Sequence, residues 1–350
     1  MRKRISFVFL ILVGIFTWFT LAVPAQAAIS GAAGFSVEPV NDSDAEKTDF
    51  YSLNLQPGQS SALRLKVTNN LNRKIKVVVI PTVAVTTNGQ INYNAVTNKR
   101  DSSLKYDWTK MGPTKQNITL LPKQSQVVTE NITLPQDKFN GVMLGSLYVY
   151  SPTVNNKLKK DASKKKNKMA LTNLYAYSVG SVMNVGDIDQ VQPDLRLRTI
   201  KVGLFKVDPA VYLNLQNFKP KYISNQKMQV HARIYPAKSN KLVVQNKQTK
   251  MSFAPNSNFD FPVSWGDKRM QAGNYQARVR VRTPERSWYF KKNFTISPAD
   301  ANRVNRANPN YRKNYWPLIL LIVIIILLLI ALLFYWFYKK GQNQAPKNSK

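Results

Sequence analysis

Residues able to carry out covalent or metal chemistry are scarce in this chain. Its 350 residues include a single histidine, His231, and no cysteine. Catalysis of the Ser/His/Asp or Cys/His kind needs a histidine beside a nucleophile, but alternation around His231 turns its side chain outward on a strand. There is no Gly-x-Ser-x-Gly elbow, and one histidine without cysteine cannot assemble the usual zinc ligand sets. The residues therefore predict a protein that is not an enzyme, with no cofactor and no metal centre.

Carboxylates are few, 18 in all, and two small groups stand out among them: Asp42, Asp44, Glu46 and Asp49, and the pair Asp187 and Asp189. Calcium binds to carboxylate oxygens arranged at defined intervals along a loop. Neither group has the full spacing of a known calcium loop. We therefore favour solvated turns for both groups and keep calcium binding as the alternative.

Basic residues are the more informative feature, because the formal net charge is +33. A charge of this size concerns partners rather than fold, and outside a cell it favours lipid head groups and anionic wall polymers. The candidate polyanion-binding residues are Lys164, Lys165, Lys166, Lys168, Arg196, Arg198, Arg278, Arg280 and Arg282. Rows of like charge on one strand face repel one another, so either solvent screens them or a polyanion neutralises them.

Nucleic acid is not an expected partner. Binding to single strands needs aromatic residues interleaved with the basic ones, so that bases can stack. The closest case is the aromatic run 288–290 near Arg286. Packing of these alternating aromatics within the protein is the favoured interpretation.

The N-terminal residues 1–27 have the three-part layout of a secretory signal. A basic triplet at positions 2–4 precedes an apolar run over 5–23, and a small-residue triplet ends at Ala27. This pattern predicts cleavage after Ala27. The alternative is an uncleaved first membrane span, since the apolar run is longer than most signals. Both interpretations export residues 28–315, and an exported chain without cysteine favours a bacterial surface.

Near the C-terminus, residues 316–338 are uncharged and almost wholly apolar. A helix of this length crosses roughly 30 Å of hydrocarbon at about 1.5 Å per residue. Aromatic residues at both ends suit the bilayer interface, and a basic tail follows over 339–350. We predict one membrane span, with the ectodomain outside the cell and the tail in the cytoplasm.

Between these ends, short strands and turns predominate. In residues 61–67, Leu63, Leu65 and Val67 alternate with polar residues, and Asn88-Gly89 is a strong hairpin signal. Residues 155–168, rich in lysine, predict a flexible loop or a hairpin tip. We predict a first domain over 28–188, a second over 189–298 and a tether over 299–315. The fold class is all-β: two tandem antiparallel β-sandwiches plus the C-terminal transmembrane helix.

Several stretches, in their order and spacing, resemble one known family: Phe35–Pro39, Phe50–Leu53, Asn88–Tyr93, Phe139–Gly141 with Gly145, Pro193–Leu195, Met251–Ser257, Gly273–Tyr275 and Trp288–Phe290. Together they resemble the WxL-interacting proteins of Gram-positive surfaces. The resemblance implies that the two tandem antiparallel β-sandwiches are immunoglobulin-like. It also implies a first domain that binds peptidoglycan, a second domain that binds host or partner proteins, and complexes with WxL-domain proteins. The chain departs from the family at Ser146, where a second glycine is common, and at 40–43, which lack an expected Asn-Gln.

The leading hypothesis is therefore a surface scaffold that binds WxL-domain proteins and either peptidoglycan or anionic wall polymers. The alternative is an adhesin whose second domain binds host or matrix proteins. Both are binding functions, and both follow from the exported position, the basic ectodomain and the scarcity of catalytic groups.

Overall fold

The computed structural model describes residues 33–40, 48–97, 99–163, 173–309 and 316–342, which are mostly β-strand. The strands of the first half are β1 (Phe35–Val40), β2 (Tyr51–Leu55), β3 (Ser60–Asn69), β4 (Ile75–Val83), β5 (Val85–Thr87), β6 (Gln90–Asn92), β7 (Gln116–Leu120), β8 (Ser125–Thr133), β9 (Gly141–Tyr150) and β10 (Ala176–Val185). They form a three-stranded sheet β1-β3-β8, a five-stranded sheet β2-β10-β9-β4-β7 and a hairpin β5-β6. Strands β2 and β10 pair in parallel, and the other pairs are antiparallel.

The two larger sheets of this half share one hydrophobic core. Leu63, Leu65 and Val67 alternate along β3 and are fully buried, as predicted from the sequence. Ile75 and Val77 of β4, in the other sheet, belong to the same buried cluster. The first half is therefore a β-sandwich closed by inward-facing residues of both sheets.

Two local sequence signals are confirmed. Asn88 and Gly89 have φ angles of 51° and 70°, the left-handed conformation that a two-residue hairpin turn requires between β5 and β6. Pro81 lies past Val79, the last residue of β4 that pairs with β7. That side of β4 is an edge at this point, where a residue without a backbone N–H is tolerated.

The second half contains seven more strands: β11 (Leu195–Phe205), β12 (Asp208–Asn217), β13 (Ile223–Pro236), β14 (Val244–Phe253), β15 (Ser257–Ser264), β16 (Gly273–Arg282) and β17 (Ser287–Ile296). They form a three-stranded sheet β11-β12-β15 and a four-stranded sheet β14-β13-β16-β17. Val230, Ala232 and Ile234 alternate along β13 and are fully buried, while Arg233 between them is exposed. The immunoglobulin-like type of these sheets remains a prediction.

The contacts divide the chain into two compact units. Unit 1 comprises Met1–Arg196, Leu215–Gln229 and Thr249–Phe259, and unit 2 comprises Leu197–Asn214, Val230–Gln248 and Asp260–Lys350. Parts of β12, β13 and β14 thus pack with the first half of the chain. The domain boundaries drawn from the sequence remain a prediction.

The predicted flexible loop over 155–168 is wrong for its first part, because α1 (Pro152–Ser163) is a helix. Val154 and Leu158, one turn apart, pack against the core of the first sandwich. The Asn155 side chain accepts a hydrogen bond from the backbone N–H of Tyr175 at 3.2 Å and donates one to its carbonyl at 3.3 Å. The packing of these two apolar side chains and the two hydrogen bonds of Asn155 stabilise the helix despite its high lysine content. The lysines at 164–168 lie outside the described residues.

The predicted tether over 299–315 is also partly a helix, α2 (Pro298–Ala307). Ser297 caps it by accepting a hydrogen bond from the backbone N–H of Asp300 at 3.0 Å, and proline occupies the first turn, where its missing N–H costs nothing. Asn305 is buried and bonds to both backbone groups of Met270. Residues 310–315 lie outside the described residues.

The last helix, α3 (Trp316–Gln342), contains the predicted span. The most apolar 18-residue stretch of its segment Leu318–Lys339 has a mean hydropathy of 3.6, and none of that stretch is buried within the protein. By length and composition the helix can cross a membrane.

Candidate functional site

A basic face lies on the outer side of β13, β16 and β17 in unit 2. We define it by six residues: His231, Arg233, Arg278, Arg280, Tyr289 and Lys291. On β16, Arg278 and Arg280 alternate with Val279 and Val281, which are buried, so the two arginines share the outward side. In the antiparallel register Arg278 lies opposite Lys291 and Arg280 lies opposite Tyr289. These side chains line a groove of about 360 Å³.

Aromatic rings and neutral polar groups position the cations of the basic face. The guanidinium of Arg278 lies 4.3 Å from the centre of the Tyr235 ring, and its Nε and NH2 atoms donate to Gln276 and Asn240 at 2.8 Å each. The guanidinium of Arg280 lies 5.1 Å from the centre of the Tyr289 ring. Arg233 donates to Nε2 of His231 at 3.2 Å.

Within the described part of the chain, Arg233, Arg278, Arg280 and Lys291 form no ion pair with a carboxylate. Stacking on tyrosine and bonding to amides hold a guanidinium in place while leaving its charge uncompensated. The arrangement can therefore bind phosphate or carboxylate groups of an anionic ligand.

The other predicted polyanion-binding residues are placed differently. Arg282 continues the outward row of β16 and is exposed opposite Ser287. Arg196 belongs to unit 1, where its guanidinium lies 5.0 Å from the centre of the Phe218 ring and donates to Gln216. Arg198 lies on β11, in the other sheet, and its carbonyl accepts from Lys292. Lys164, Lys165, Lys166 and Lys168 lie outside the described residues.

Four residues of the basic face were not among the predicted ones: His231, Arg233, Tyr289 and Lys291. Alternation in β13 and β17 already indicated that these side chains point outward. The register between strands decides which outward-facing residues become neighbours. A single sequence does not reveal that register.

A second candidate site, in unit 1, carries no charged residue among the described residues that line it. This uncharged cleft has a volume of about 840 Å³, and it is lined by Phe50, Thr87, Asn88, Gln90, Ile91, Asn92, Tyr93, Asn94, Ser178, Gly180 and Val182. Its floor is β10, and the β5-β6 hairpin supplies one wall. The sequence analysis did not predict it.

Buried hydroxyl groups hold Tyr93 in the wall of the cleft. The hydroxyls of Thr82, Ser146 and Ser178 lie 2.9, 2.7 and 3.2 Å from its backbone carbonyl oxygen. Burial, together with the nearby Tyr222, raises the pKa of the Tyr93 phenol, which therefore stays protonated at neutral pH. Ser146, the departure from the family pattern noted above, thus has a clear structural role.

The hairpin that forms the wall is docked on the end of β14. The carbonyl of Gly89 accepts from the backbone N–H of Ser252 at 2.8 Å, and the N–H of Ile91 donates to the Ser252 hydroxyl at 3.0 Å. Gly89 has a φ of 70°, which favours glycine, and a β-carbon there would lie 2.1 Å from the terminal methyl of Met251, which would have to move. The wall is consequently preformed.

Metal binding finds no support in the described residues, which contain no group of three or more His, Cys, Asp or Glu side chains able to hold an ion. Asp187 accepts from the backbone N–H of Asp189 at 3.1 Å and so caps a 3₁₀ helix over Ile188–Gln190. Most of the acidic group at 42–49 lies outside the described residues.

Comparison with protein families gives two matches in sequence order. Residues 35–151 match the peptidoglycan binding domain of WxL Interacting Proteins, and residues 166–306 match the host binding domain of the same proteins. The chain belongs to the WxL Interacting Protein family. This confirms the resemblance found in the sequence. Together the two matches cover most of this WxL Interacting Protein.

Comparison with curated proteins gives no match. Solved structures with some likeness include a chaperone–tip adhesin complex of CFA/I fimbriae, at 11% identity over 74% of this chain and 99% of the other, with a TM-score of 0.28. The Escherichia coli chaperone DraB matches at 12% identity over 75% and 98%, with a TM-score of 0.26. TM-scores this low support no conclusion about this family member.

Proposed function

We propose that this protein is a non-enzymatic, membrane-anchored surface protein that binds the cell wall and holds WxL-domain proteins beside it. The observation that carries the proposal is the pair of family matches, one to a peptidoglycan binding domain and one to a host binding domain. Both are binding modules. The scarcity of histidine and cysteine supports a function without catalysis.

The proposed position is the outer face of a Gram-positive membrane. Helix α3 provides a segment long and apolar enough to span the bilayer. The basic N-terminus followed by an apolar run and Ala27 supports export of the residues before α3. The C-terminal tail then lies in the cytoplasm.

The basic face supports binding to anionic wall polymers. Its arginines are oriented by tyrosine rings at 4.3 and 5.1 Å, and no carboxylate of the described chain neutralises them. An anionic polymer that lies along the face gains Coulomb attraction to several cations at once. Arg282 extends the row along β16.

The test of wall binding uses the full-length protein in detergent micelles and purified cell walls. We expect the wild type to sediment with walls and with WxL-domain proteins. The double variant Arg278→Ala/Arg280→Ala should bind anionic walls about tenfold more weakly, since it removes two cations. The matched control is Lys115→Ala/Lys138→Ala, which removes the same charge from exposed sites in unit 1. Wild-type protein that recovered neither walls nor WxL-domain proteins at physiological salt would refute the proposal.

A second candidate function is adhesion to host or matrix proteins, which the match of residues 166–306 to a host binding domain favours. Deletion of residues 190–298 should then abolish adhesion of the cells that display the protein. Adhesion that is unchanged by the deletion would contradict this function. Because the deletion also removes the basic face, wall binding is judged separately with the Arg278→Ala/Arg280→Ala variant.

A further inference from the structure

We propose that the uncharged cleft of unit 1 is a binding site for an uncharged glycan chain bearing acetamido groups. This inference rests on the proposed function, since it names the part of the wall that the first domain would recognise. Three observations support it: the chemistry of the lining, the gap at Gly180 beside Phe50 and Tyr93, and the hydrogen bonds that hold the hairpin wall.

The aromatic residues of the cleft are exposed enough to contact a ligand. Phe50 is 43% exposed, although most large apolar side chains of this sandwich are buried. Gly180 lies between Phe50 and Tyr93: a β-carbon there would be 3.8 Å from the β-carbon of Phe50 and 3.9 Å from the Tyr93 ring. The missing side chain leaves a slot beside Phe50 and the ring of Tyr93. The C–H faces of pyranose rings are apolar and pack flat against such rings.

Amide side chains supply the hydrogen-bonding groups that an acetamido sugar needs. Asn88 and Asn94 line the cleft, and neither side-chain amide is bonded within the described part of the chain. Each amide offers both a donor and an acceptor, which match the C=O and N–H of an acetamido group. Thr87 adds a hydroxyl that suits sugar hydroxyls.

The absence of charged residues from the described lining excludes the anionic ligands that are expected at the basic face. About one residue in seven of the whole chain is lysine or arginine, yet none lines the cleft among the described residues. A phosphate or carboxylate placed there would lose its hydration without gaining a cation. The ligand that fits is therefore neutral.

An extended peptide is the ligand class that competes with a glycan at this cleft. Peptides commonly bind by adding a strand to a free sheet edge. Strand β10 pairs with β9 along its whole length but with β2 only over Ser181–Val185, so within the described chain Ser178 and Gly180 are paired on one side only. The exposed ring of Phe50 and the unbonded amides of Asn88 and Asn94 favour a glycan, and a peptide in the titration tests the alternative. The volume of about 840 Å³ lies in the range of ligand clefts, roughly 300–1,000 Å³.

The experiment titrates full-length protein in detergent with an oligomer of four β-1,4-linked N-acetylglucosamine units, using calorimetry. Cellotetraose has the same backbone without acetamido groups, and an uncharged N-acetylated peptide represents the competing ligand class. We expect the acetamido oligomer to bind, cellotetraose to bind at least tenfold more weakly, and the peptide not to bind.

Two variants test the cleft in different ways: one removes an aromatic ring, and the other fills the slot. Phe50→Ala removes an exposed ring, and it should weaken oligomer binding about tenfold or more. Gly180→Val keeps both rings but fills the slot, and the ordinary contact distances at its β-carbon indicate that β10 accepts it. Tyr289→Ala removes an exposed ring from the basic face, so it is the matched control and should bind the oligomer like the wild type. Melting temperatures verify that each variant is folded.

Oligomer binding that both cleft variants weaken and the control retains would establish the site. No binding of the oligomer by wild-type protein that still sediments with peptidoglycan would overturn the cleft assignment and leave the proposed function standing. Equal binding of cellotetraose, or binding of the peptide instead, would also overturn it. Oligomer binding through the cleft without sedimentation with intact peptidoglycan would establish the site and contradict the proposed function.

Discussion

Two carboxylates, one buried and one half-buried, show how the surroundings of a residue decide its ionisation. Glu130 on β8 is 2% exposed; its Oε2 accepts from the backbone N–H of Thr114 at 2.9 Å, and its Oε1 has no hydrogen-bond partner in the described chain. Burial raises the pKa of Glu130, and the bond from Thr114 only partly opposes this. Asp101 is half-buried, and burial would raise its pKa too, but bonds from Ser103, Asn258 and Gln216 outweigh burial and lower it.

We predict that Glu130→Gln stabilises the protein at pH 7. A raised folded pKa means that the folded state resists ionisation, so the wild type loses stability as pH rises from the unfolded value near 4.3 through the folded value. The amide removes this cost, and the gain at pH 7 should be about 1 kcal/mol and vanish below pH 4. Thermal melts of both proteins from pH 3 to pH 8 measure it. A gain that is the same at every pH would contradict the electrostatic cause.

Asp101 leads to the opposite prediction. Its lowered pKa means that the carboxylate stabilises the fold above the unfolded value near 3.9, and that this stability is lost as pH falls through the folded value. Asp101→Asn should therefore reduce the free energy of unfolding by roughly 1–3 kcal/mol at pH 7, and the difference should shrink in acid.

Urea unfolding at pH 7 and pH 3 tests the Asp101 prediction. Asp137→Asn is the matched control, because Asp137 is 71% exposed and its nearest cation, Lys105, is 4.0 Å away. The prediction fails if the control loses as much stability as Asp101→Asn.

At the scale of elements, α1 and α2 are the clearest departures from the sequence-based expectation. Their compositions are polar, so composition alone predicted a loop and a tether. One face of each helix packs against the rest of the protein. The packed residues are Val154 and Leu158 in α1, and Ala301 and Val304 in α2. Burial of a few side chains, with a cap at the N-terminus of α2, suffices to order a short polar helix.

The docking of α2 can be tested at Asn305, which is 4% exposed and bonds to the N–H and C=O of Met270 at 2.9 and 2.8 Å. Asn305→Ala leaves two buried backbone groups unpaired, so we expect a loss of roughly 2 kcal/mol or more. Asn302→Ala, at an exposed position of the same helix, is the control and should be neutral or slightly stabilising. Urea unfolding compares the two, and equal effects would show that Asn305 does not dock the helix.

At the scale of the whole molecule, two chemically different surfaces imply two different responses to salt. The basic face attracts anions through exposed cations, and this attraction weakens as the Debye length falls from about 10 Å at 0.1 M salt to about 3 Å at 1 M. The uncharged cleft relies on aromatic contact and hydrogen bonds, which salt affects little.

We therefore expect binding to anionic wall polymers to weaken at least tenfold between about 0.1 M and 1 M salt, while oligosaccharide binding stays within about twofold. Sedimentation with walls and calorimetry with the oligomer, both on the full-length protein, measure the two affinities. Parallel weakening of both would show that the cleft is not independent of charge.

The sequence by itself determined the features that local patterns control. Alternation identified the buried face of β3 and the outward row on β16, the Asn88-Gly89 pair identified its hairpin, and an apolar run identified α3. Motif order identified the family. Each of these depends on residues close together along the chain, where side-chain periodicity and turn geometry are set by the backbone itself.

The tertiary structure decided everything that depends on distant residues. The basic face joins β13, β16 and β17 through their register, and the uncharged cleft combines Phe50, a hairpin at 85–92 and β10. The hydroxyls around the Tyr93 carbonyl come from three strands separated by up to about a hundred positions. Such neighbours are selected by the packing of the whole fold, so no window of sequence contains them. The sequence thus identified a cationic β-protein of the WxL Interacting Protein family, and only the fold brought together the residues of the basic face and those of the uncharged cleft.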